Sequence, residues 1–342
     1  MSAVLSESDR RMIETAHVKV LPSGHEFQVV GGDTLLQAGL KAGLTLGYGC
    51  GTGTCGLCKA RIVSGEVRQV GHSDYRIAEA ERAQGVCLLC THTAVGEVVV
   101  ETLEAKGPSD VPLQEVVARV RAVEPLSSDT RLLHLQTPRS QRLRFLAGQC
   151  VTLTLPEGAG SETLPLASCP CDERNLHFHV ADDGAGPLSR RLSQSALPVG
   201  QEIQVRGPYG SFVLDANATG APIFACCDTG FAPVKSLIEQ AIALDEFDSI
   251  SLYRLSCRPG GHYLDNLCRS WAASLDRFRY VAIADAGVQQ GSLQLAARVL
   301  TDQSRLADRR IYIAGPKVFV ETLSASLSGV GAPRERMTLF AA

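Results

Sequence analysis

The segment CGTGTCGLC, residues 50–58, concentrates three cysteines on a backbone with few side chains. Cys50, Cys55 and Cys58 follow a C-x4-C-x2-C spacing. Cysteines this close together can form disulfides, ligate zinc or hold an iron–sulfur cluster. The first residues lack the apolar core of a signal peptide, so we expect a cytoplasmic protein. In that compartment the 12 cysteines of the chain indicate metal or redox chemistry rather than disulfides.

A four-cysteine zinc site is the main alternative to an iron–sulfur cluster. Cys55 and Cys58 form one C-x2-C pair, and Cys87 and Cys90 form a second, as in many zinc sites. A zinc site leaves Cys50 unused and gives the glycines of the loop no role. A cluster loop must instead wrap around two irons and turn backbone N–H groups toward the sulfurs, which glycine permits. The loop therefore favours a cluster.

The elements around the loop must hold it in place, and the sequence predicts their order. Residues 17–30 have the pattern of a hairpin with a Ser-Gly turn, and residues 33–43 that of a capped short helix ending at a glycine. Residues 58–67 and 95–101 predict further strands. Two strands and a helix thus precede the loop, and more strands follow it.

This order, together with the cysteine spacing, resembles the β-grasp domain of plant-type 2Fe-2S ferredoxins. The segments 48–50 (Tyr-Gly-Cys) and 86–90 (Val-Cys-Leu-Leu-Cys) are similar to elements that carry ligands in that family. The resemblance selects Cys90 as the fourth ligand over its rival Cys87, which would be a small buried residue. We therefore predict a 2Fe-2S cluster with four cysteine ligands, namely Cys50, Cys55, Cys58 and Cys90.

Two further domains are predicted after this ferredoxin-like domain, to which we assign residues 16–104. A polar linker with proline and glycine, residues 105–112, follows. In 113–215, short alternating strands separated by turn residues predict a small antiparallel β-barrel. In 216–342, apolar strands alternate with helical stretches, which predicts a parallel sheet with helices on both faces. The predicted fold class is therefore a multidomain α+β and α/β protein.

The three predicted domains together resemble one family over nearly the whole chain. They are similar to the reductase components of bacterial oxygenases and to CDP-6-deoxy-glucoseen reductase-like proteins. The resemblance implies an NAD(P)H-dependent oxidoreductase that passes electrons from NAD(P)H through FAD to the 2Fe-2S cluster. An oxygenase or another partner protein would receive them. FAD is required because nicotinamide donates electrons in pairs, whereas the cluster accepts them singly.

Three short motifs match cofactor-binding motifs of that family. The segment 186–192, GPLSRRL, matches a Gly-x-x-Ser-x-x-Leu motif that meets the flavin pyrophosphate at the start of a helix. The segments 229–233 and 315–316 match parts of the nicotinamide motifs. The resemblance implies flavin contacts at Gly186 and Ser189. It also implies a nicotinamide site lined by Thr229, Gly230, Gly315 and Pro316.

The FAD motif of the family carries different residues in this chain. Aligned on residues 166–168, its arginine, tyrosine and serine fall on Glu162, Leu164 and Pro165. Glu162 brings negative charge toward a pyrophosphate, and Leu164 cannot stack on a flavin ring as tyrosine does. Pro165 has neither a hydroxyl nor a backbone N–H.

The nicotinamide motifs also differ from those of the family. Cys227 and Asp228 stand in place of two glycines, and Ala314 stands in place of a cysteine. A complete cysteine loop beside altered FAD and nicotinamide motifs supports a second hypothesis. The chain would then be a ferredoxin-type one-electron carrier whose reductase module has lost both cofactors and serves as a docking scaffold.

The composition gives no reason to expect nucleic acid or an anionic membrane as a partner. The net charge is −3, and no apolar run approaches the roughly 20 residues of a membrane span. Two smaller patterns are assigned to the surface. His177 and His179 share a face of one strand that we predict to be solvated, and Arg254 and Arg258 are predicted to be surface charges.

Overall fold

The structure is a computed structural model of the chain. It describes residues 15–48, 50–102, 104–105, 107–138, 143–170, 174–194, 197–215, 220–244, 247–285 and 287–341. These residues fall into two compact units, one within 1–106 and 138–144 and the other within 107–137 and 145–342. No helix among the described residues is long and apolar enough to cross a membrane.

The first unit is built around a mixed β-sheet. In chain order its elements are β1 (Thr15–Leu21), β2 (Glu26–Val30), α1 (Leu35–Lys41), β3 (Lys59–Gln69), α2 (Glu79–Ala83), β4 (Val86–Leu88) and β5 (His92–Glu101). The strand order is β2-β1-β5-β3-β4, with β1 parallel to β5 and the other neighbours antiparallel. The predicted hairpin, helix and flanking strands are confirmed.

Helix α1 begins at a capping box, as its sequence predicts. The Thr34 hydroxyl accepts the N–H of Gln37 at 3.2 Å, and the Gln37 side chain accepts the N–H of Thr34 at 3.1 Å. The helix buries Leu35, Leu36 and other apolar side chains against the sheet. It ends before Gly43, whose φ of 79° few other residues adopt. The cysteine loop follows this helix in the chain, from Cys50 onward.

The second unit begins with an antiparallel sheet that approaches a barrel. Its elements are β6 (Gln114–Pro125), β7 (Thr130–Gln136), β8 (Cys150–Thr154), β9 (Ser161–Pro165), β10 (Asn175–Ala181), α3 (Pro187–Gln194) and β11 (Glu202–Tyr209). The strand order is β10-β7-β6-β11-β8-β9. The sequence predicted this sheet but missed β9, the strand that contains Glu162.

A parallel sheet forms the rest of the second unit. Its elements are β12 (Ile223–Cys227), α4 (Phe231–Leu244), β13 (Ile250–Ser256), α5 (Asp265–Ser274), β14 (Phe278–Ala284), α6 (Val288–Asp302), β15 (Ile311–Gly315), α7 (Lys317–Ser328) and β16 (Met337–Ala341). The strand order is β14-β13-β12-β15-β16. Because the chain moves outward from β12 on one side and returns through β15 on the other, the order reverses between these two strands. In open α/β sheets, ligands bind at such a switch point.

Polar contacts join the two sheets of the second unit. Arg258, just after β13, pairs with Asp129 at 3.2 Å and with Asp183 at 3.0 Å on the antiparallel side. Arg254 is only 2% exposed and stacks on the ring of Phe231 at 3.8 Å. The prediction of surface charges was therefore wrong for Arg254, and Arg258 serves as a link between the sheets.

Candidate functional site

The predicted cluster ligands lie in two segments of the first unit. Cys50, Cys55 and Cys58 occupy the loop between α1 and β3, and Cys90 follows β4. The Sγ atoms of Cys58 and Cys90 are 3.2 Å apart, and the N–H of Cys50 lies 3.2 Å from the Sγ of Cys55. Cys50, Cys58 and Cys90 are buried. The structure thus brings these predicted ligands together. Gly49, which belongs to the predicted segment 48–50, lies outside the described residues.

Backbone N–H groups of the loop point at its sulfurs. The N–H groups of Thr52, Thr54 and Cys55 each lie 3.3 Å from the Sγ of Cys50, and that of Leu57 lies 3.5 Å from the Sγ of Cys55. Burial raises the pKa of Cys50, but hydrogen bonds from Thr54, Thr52 and Cys55 outweigh it and lower the pKa to about 5. A thiolate is the form that binds iron, so these hydrogen bonds favour the ligand state of Cys50, whereas burial raises the pKa of Cys55.

Two glycines allow the loop to pack closely. Gly53 and Gly56 have φ values of 83° and 74°, in the left-handed region that other residues rarely adopt. A Cβ at Gly53 would collide with the carbonyl oxygen of His72, and one at Gly56 with the ring of Tyr75. The segment after β3 therefore presses against the loop at two points, which accounts for glycines that a zinc site left unexplained.

The fourth ligand can be judged from the surroundings of Cys87 and Cys90. Cys87 is buried in β4, where it pairs with Ala60, and burial raises its pKa to about 12. The hydrogen bond between Cys58 and Cys90 lowers the pKa of Cys58 and raises that of Cys90, so the two sulfurs hold a proton between them. These contacts support Cys90 as the ligand. With four sulfurs and several N–H donors, the residues fit a 2Fe-2S cluster.

A cavity of about 400 Å³ lies between the two sheets of the second unit. Its volume is within the range of small-molecule sites, roughly 300–1,000 Å³. Strands β8, β9 and β10, the start of α3, the turn after β12 and strand β16 contribute to its walls. The lining residues are Cys150, Glu162, Thr163, Leu164, Pro165, His179, Val180, Ala181, Asp183, Ala185, Gly186, Ser189, Thr229, Phe340 and Ala341.

The carboxylate of Glu162 lies at the start of α3. Its Oε2 atom accepts the N–H of Leu188 at 2.9 Å, and a Cβ at Gly186 would collide with the same carboxylate. The first N–H groups of a helix are the usual place for a phosphate or other anion. An anion supplied by the chain itself therefore holds the place that the sequence assigns to the flavin pyrophosphate.

The hydroxyl of Ser189 is engaged within its own turn. It donates to the carbonyl of Ala181 at 2.6 Å and accepts the N–H groups of Gly184 at 2.8 Å and Asp183 at 3.1 Å. Ser189 is 3% exposed. This side chain shapes the turn before α3, and phosphate contacts at this turn would come from backbone N–H groups. The cavity and the helix start fit a flavin nucleotide, while Glu162 opposes its diphosphate.

His179 is buried in the cavity wall, so the prediction of a solvated strand face was wrong for this residue. Its Nδ1 lies 3.0 Å from the hydroxyl of Tyr263, and its ring packs against those of Tyr263 and Phe231. Burial lowers the pKa of His179 well below its usual range, and the charges of Lys235 and other neighbours lower it further. The cavity therefore presents a neutral imidazole.

The residues predicted for the nicotinamide site meet at the switch point. Gly230 packs so closely on β15 that a Cβ there would collide with the carbonyl of Ala314. Gly315 has a φ of 155° and lies against Cys227, where a Cβ would be 3.0 Å from the Cβ of Cys227. Thr229 also lines the cavity. The structure thus brings the two predicted motifs together and connects them to the flavin cavity.

Sequence reasoning missed the lining residues His179 and Phe340. Phe340 belongs to β16, a short strand that pairs with β15 at Ala314. The sequence around Phe340 matches no cofactor-binding motif. The aromatic side chain near the end of the chain was the only feature that could have pointed to a role in the cavity. His179 was noticed but was placed on a solvated face.

Models of two known families match parts of this chain. The model of a 2Fe-2S iron–sulfur cluster binding domain matches residues 18–95. The model of an oxidoreductase FAD-binding domain matches residues 117–214. The first match contains the four predicted cluster ligands, and the second contains β9, α3 and most of the cavity wall.

Similar proteins include two kinds of reductase. The chain is 28% identical over 322 residues to the reductase component DmpP of phenol 2-monooxygenase from Pseudomonas sp. (strain CF600), covering 91% of this chain and 90% of that protein. It is 28% identical over 269 residues to the CDP-6-deoxy-L-threo-D-glycero-4-hexulose-3-dehydrase reductase of Yersinia pestis, covering 78% and 79%. Both matches cover more than three quarters of each protein.

Solved structures show the same fold. The cytochrome P450 reductase GcoB of Amycolatopsis superposes with a TM-score of 0.59 at 24% identity, over 95% of this chain and 98% of that one. The ferredoxin reductase of carbazole 1,9a-dioxygenase has a TM-score of 0.58 at 20% identity, over 96% and 98%.

Proposed function

We propose that this chain, which belongs to the proteins that join a 2Fe-2S ferredoxin domain to an FAD-binding oxidoreductase domain, is the reductase component of an oxygenase-type system. It takes electrons from NAD(P)H and delivers them to a partner enzyme. The comparisons favour this function over the docking scaffold, because both matched domains and the full-length relatives are those of electron-transfer reductases.

The cysteine site is the observation that carries the proposal. Three of its four cysteines are buried, the sulfurs of Cys58 and Cys90 are 3.2 Å apart, and backbone N–H groups point at the sulfurs of Cys50 and Cys55. When bound, the flavin and the cluster would supply the conversion of a two-electron hydride into single electrons. The N–H groups of the loop favour the thiolate of Cys50, and burial keeps water away from Cys50, Cys58 and Cys90.

The residues of the second unit would bind and orient the organic cofactors. Backbone N–H groups at Gly186 and around Ser189 would meet the flavin phosphates at the start of α3. Thr229, Gly230, Gly315 and Pro316 would line the nicotinamide site. His179, held neutral beside Tyr263, adds no positive charge to the cavity.

We also propose the domain boundaries 16–104, 113–215 and 216–342, with 105–112 as linker, and a cytoplasmic location. Ten of the eleven cysteines among the described residues are unpaired, and Cys169 is disulfide-bonded; the predominance of free thiols supports that location. Lys106 and residues 216–219, near two of the boundaries, lie outside the described residues.

The test measures cofactors and turnover on anaerobically purified protein. We expect two irons and up to one flavin per chain, and NADH- or NADPH-dependent reduction of both a small dye and cytochrome c. Removing the cluster with Cys58→Ala should abolish cytochrome c reduction while dye reduction by the flavin continues. Absence of turnover with both nucleotides in fully loaded protein would refute the proposal.

A further inference from the structure

Three potential metal ligands lie together at the carboxyl edge of the parallel sheet. Cys227 ends β12, Asp228 follows it, and Cys257 follows β13 on the neighbouring strand. Their two Sγ atoms and a carboxylate oxygen all lie within 4.8 Å of one another. Cys227 is fully buried, and the other two are partly buried. This cluster lies in the second unit and shares no residue with the cysteine loop.

The carboxylate of Asp228 is held in place by the backbone. Its Oδ1 accepts the N–H of Cys257 at 2.9 Å, and its Oδ2 lies 3.5 Å from the Sγ of Cys227. Asp228 has a φ of 50°, a conformation that aspartate and asparagine tolerate better than most residues. No lysine, arginine or histidine forms an ion pair with it among the residues that the structure describes. A fixed carboxylate beside two thiols, without a paired cation, provides the charge and the donor atoms that a metal ion requires.

We propose that Cys227, Asp228 and Cys257 form a binding site for a thiophilic divalent cation such as Zn²⁺. Zinc accepts sulfur and carboxylate ligands in a tetrahedral arrangement, with Zn–S distances of about 2.3 Å and Zn–O distances of about 2.1 Å. Such distances place neighbouring ligand atoms about 3.7 Å apart. The three side chains therefore need to close by only about 1 Å to bind the ion.

The sequence around the cluster agrees with a specific role for these residues. Cys227 and Asp228 occupy positions where the resemblance predicted two glycines, so both changes introduce a metal ligand. Cys226, the neighbour of Cys227, points into the opposite hydrophobic core, as alternation along a strand requires. Three protein ligands leave a fourth position for water or an external ligand.

Zinc binding to the full-length, cluster-loaded protein tests this site, independently of the proposed reductase function. The protein is dialysed against chelator-buffered zinc with a phosphine reductant, and zinc and iron are counted by mass spectrometry. Asp228→Asn keeps the backbone conformation and the hydrogen bond from Cys257 but removes the charge, and Cys257→Ser removes one sulfur. Cys226→Ala, one residue away on the other face, is the matched control.

We expect wild type and Cys226→Ala to bind one zinc per chain beyond any held by cluster-free cysteine loops. Asp228→Asn and Cys257→Ser should bind it roughly tenfold more weakly or worse at equal iron content. With cobalt(II), wild type should show the intense ligand-field bands of a tetrahedral thiolate site at the red end of the spectrum, and Cys257→Ser should not. Equal zinc content in all four proteins, or none in wild type, would overturn the proposal.

Discussion

The Oε2 atom of Glu162 accepts the backbone N–H of Leu188 at 2.9 Å, so a carboxylate from strand β9 caps the start of helix α3. The same carboxylate fills the space beside Gly186, where any side chain would collide with it. A helix start stabilises one anion, and here that anion belongs to the protein. A flavin diphosphate must therefore displace Glu162 or bind beside its negative charge.

Replacing Glu162 should strengthen FAD binding. Glu162→Gln keeps an oxygen that can accept the N–H of Leu188 but removes the charge, so the diphosphate no longer competes with a carboxylate. We expect the Kd for FAD to fall roughly tenfold, about 1.4 kcal/mol, as measured by quenching of flavin fluorescence. Glu124→Gln, an exposed acid on β6 of the same sheet, is the control and should leave the Kd unchanged. An unchanged or weaker affinity in Glu162→Gln would show that Glu162 does not oppose the flavin.

The two cysteines of the second C-x2-C pair should behave differently when each is replaced by alanine. Cys90→Ala removes the sulfur that lies 3.2 Å from that of Cys58, and we expect it to lose most of its iron and its visible iron–sulfur absorbance. Cys87→Ala trims a buried side chain in β4 and should keep two irons per chain, with a stability loss of about 1 kcal/mol. Iron analysis and visible spectra distinguish the two variants. The reverse pattern would make Cys87 the ligand.

Local patterns predicted much of the fold and the cysteine site. The hairpin β1–β2, the capped helix α1 and the cysteine loop are all encoded within short segments, because turn residues, a capping box and ligand spacing act over a few positions. Strand β9 was missed because its sequence, SETLP, has no apolar alternation and lies between a glycine turn and a buried loop. It is recognisable only through its pairing with β8.

Burial that arises from distant segments could not be predicted. The alternation of β10 placed His179 on the same face as His177 but could not show what covers that face. Phe231 and Tyr263, more than 50 residues later in the chain, supply the cover. Arg254 is buried for a similar reason, since its guanidinium stacks on Phe231 rather than meeting solvent. His179 is covered by side chains from the other half of the second unit, whereas Arg254 is covered within the parallel-sheet half itself.

Close packing at Gly56 should matter more for the cluster than its backbone conformation does. Alanine at Gly56 must adopt a φ near 74° and displace the ring of Tyr75. The backbone of Tyr75 is itself tied to the loop, because its N–H donates to the carbonyl of Gly53 at 2.9 Å. Gly96→Ala is a matched control, because Gly96 has a φ of 67° but has open space around it. Each variant should lose about 1 kcal/mol of stability from strain. Only Gly56→Ala should lose iron faster when a chelator is added, and equal iron loss in the two would mean that the contact with Tyr75 does not support the loop.

Acid should destabilise the second unit through His179. Burial, aided by the charges of Lys235, His177 and Arg254, holds its folded pKa well below the unfolded value of about 6.5. Below that pH the unfolded chain binds a proton that the folded chain does not. The free energy of unfolding therefore falls by up to about 1.4 kcal/mol for each unit by which the pH is lowered. Asparagine at position 179 can still form a hydrogen bond with Tyr263 but does not titrate. In denaturant unfolding between pH 7 and 5, His179→Asn should therefore show a weaker dependence of the free energy of unfolding on pH than wild type. His72→Gln, at a side chain that is 87% exposed, should keep the wild-type slope. If His179→Asn kept it as well, the acid sensitivity would arise from another group.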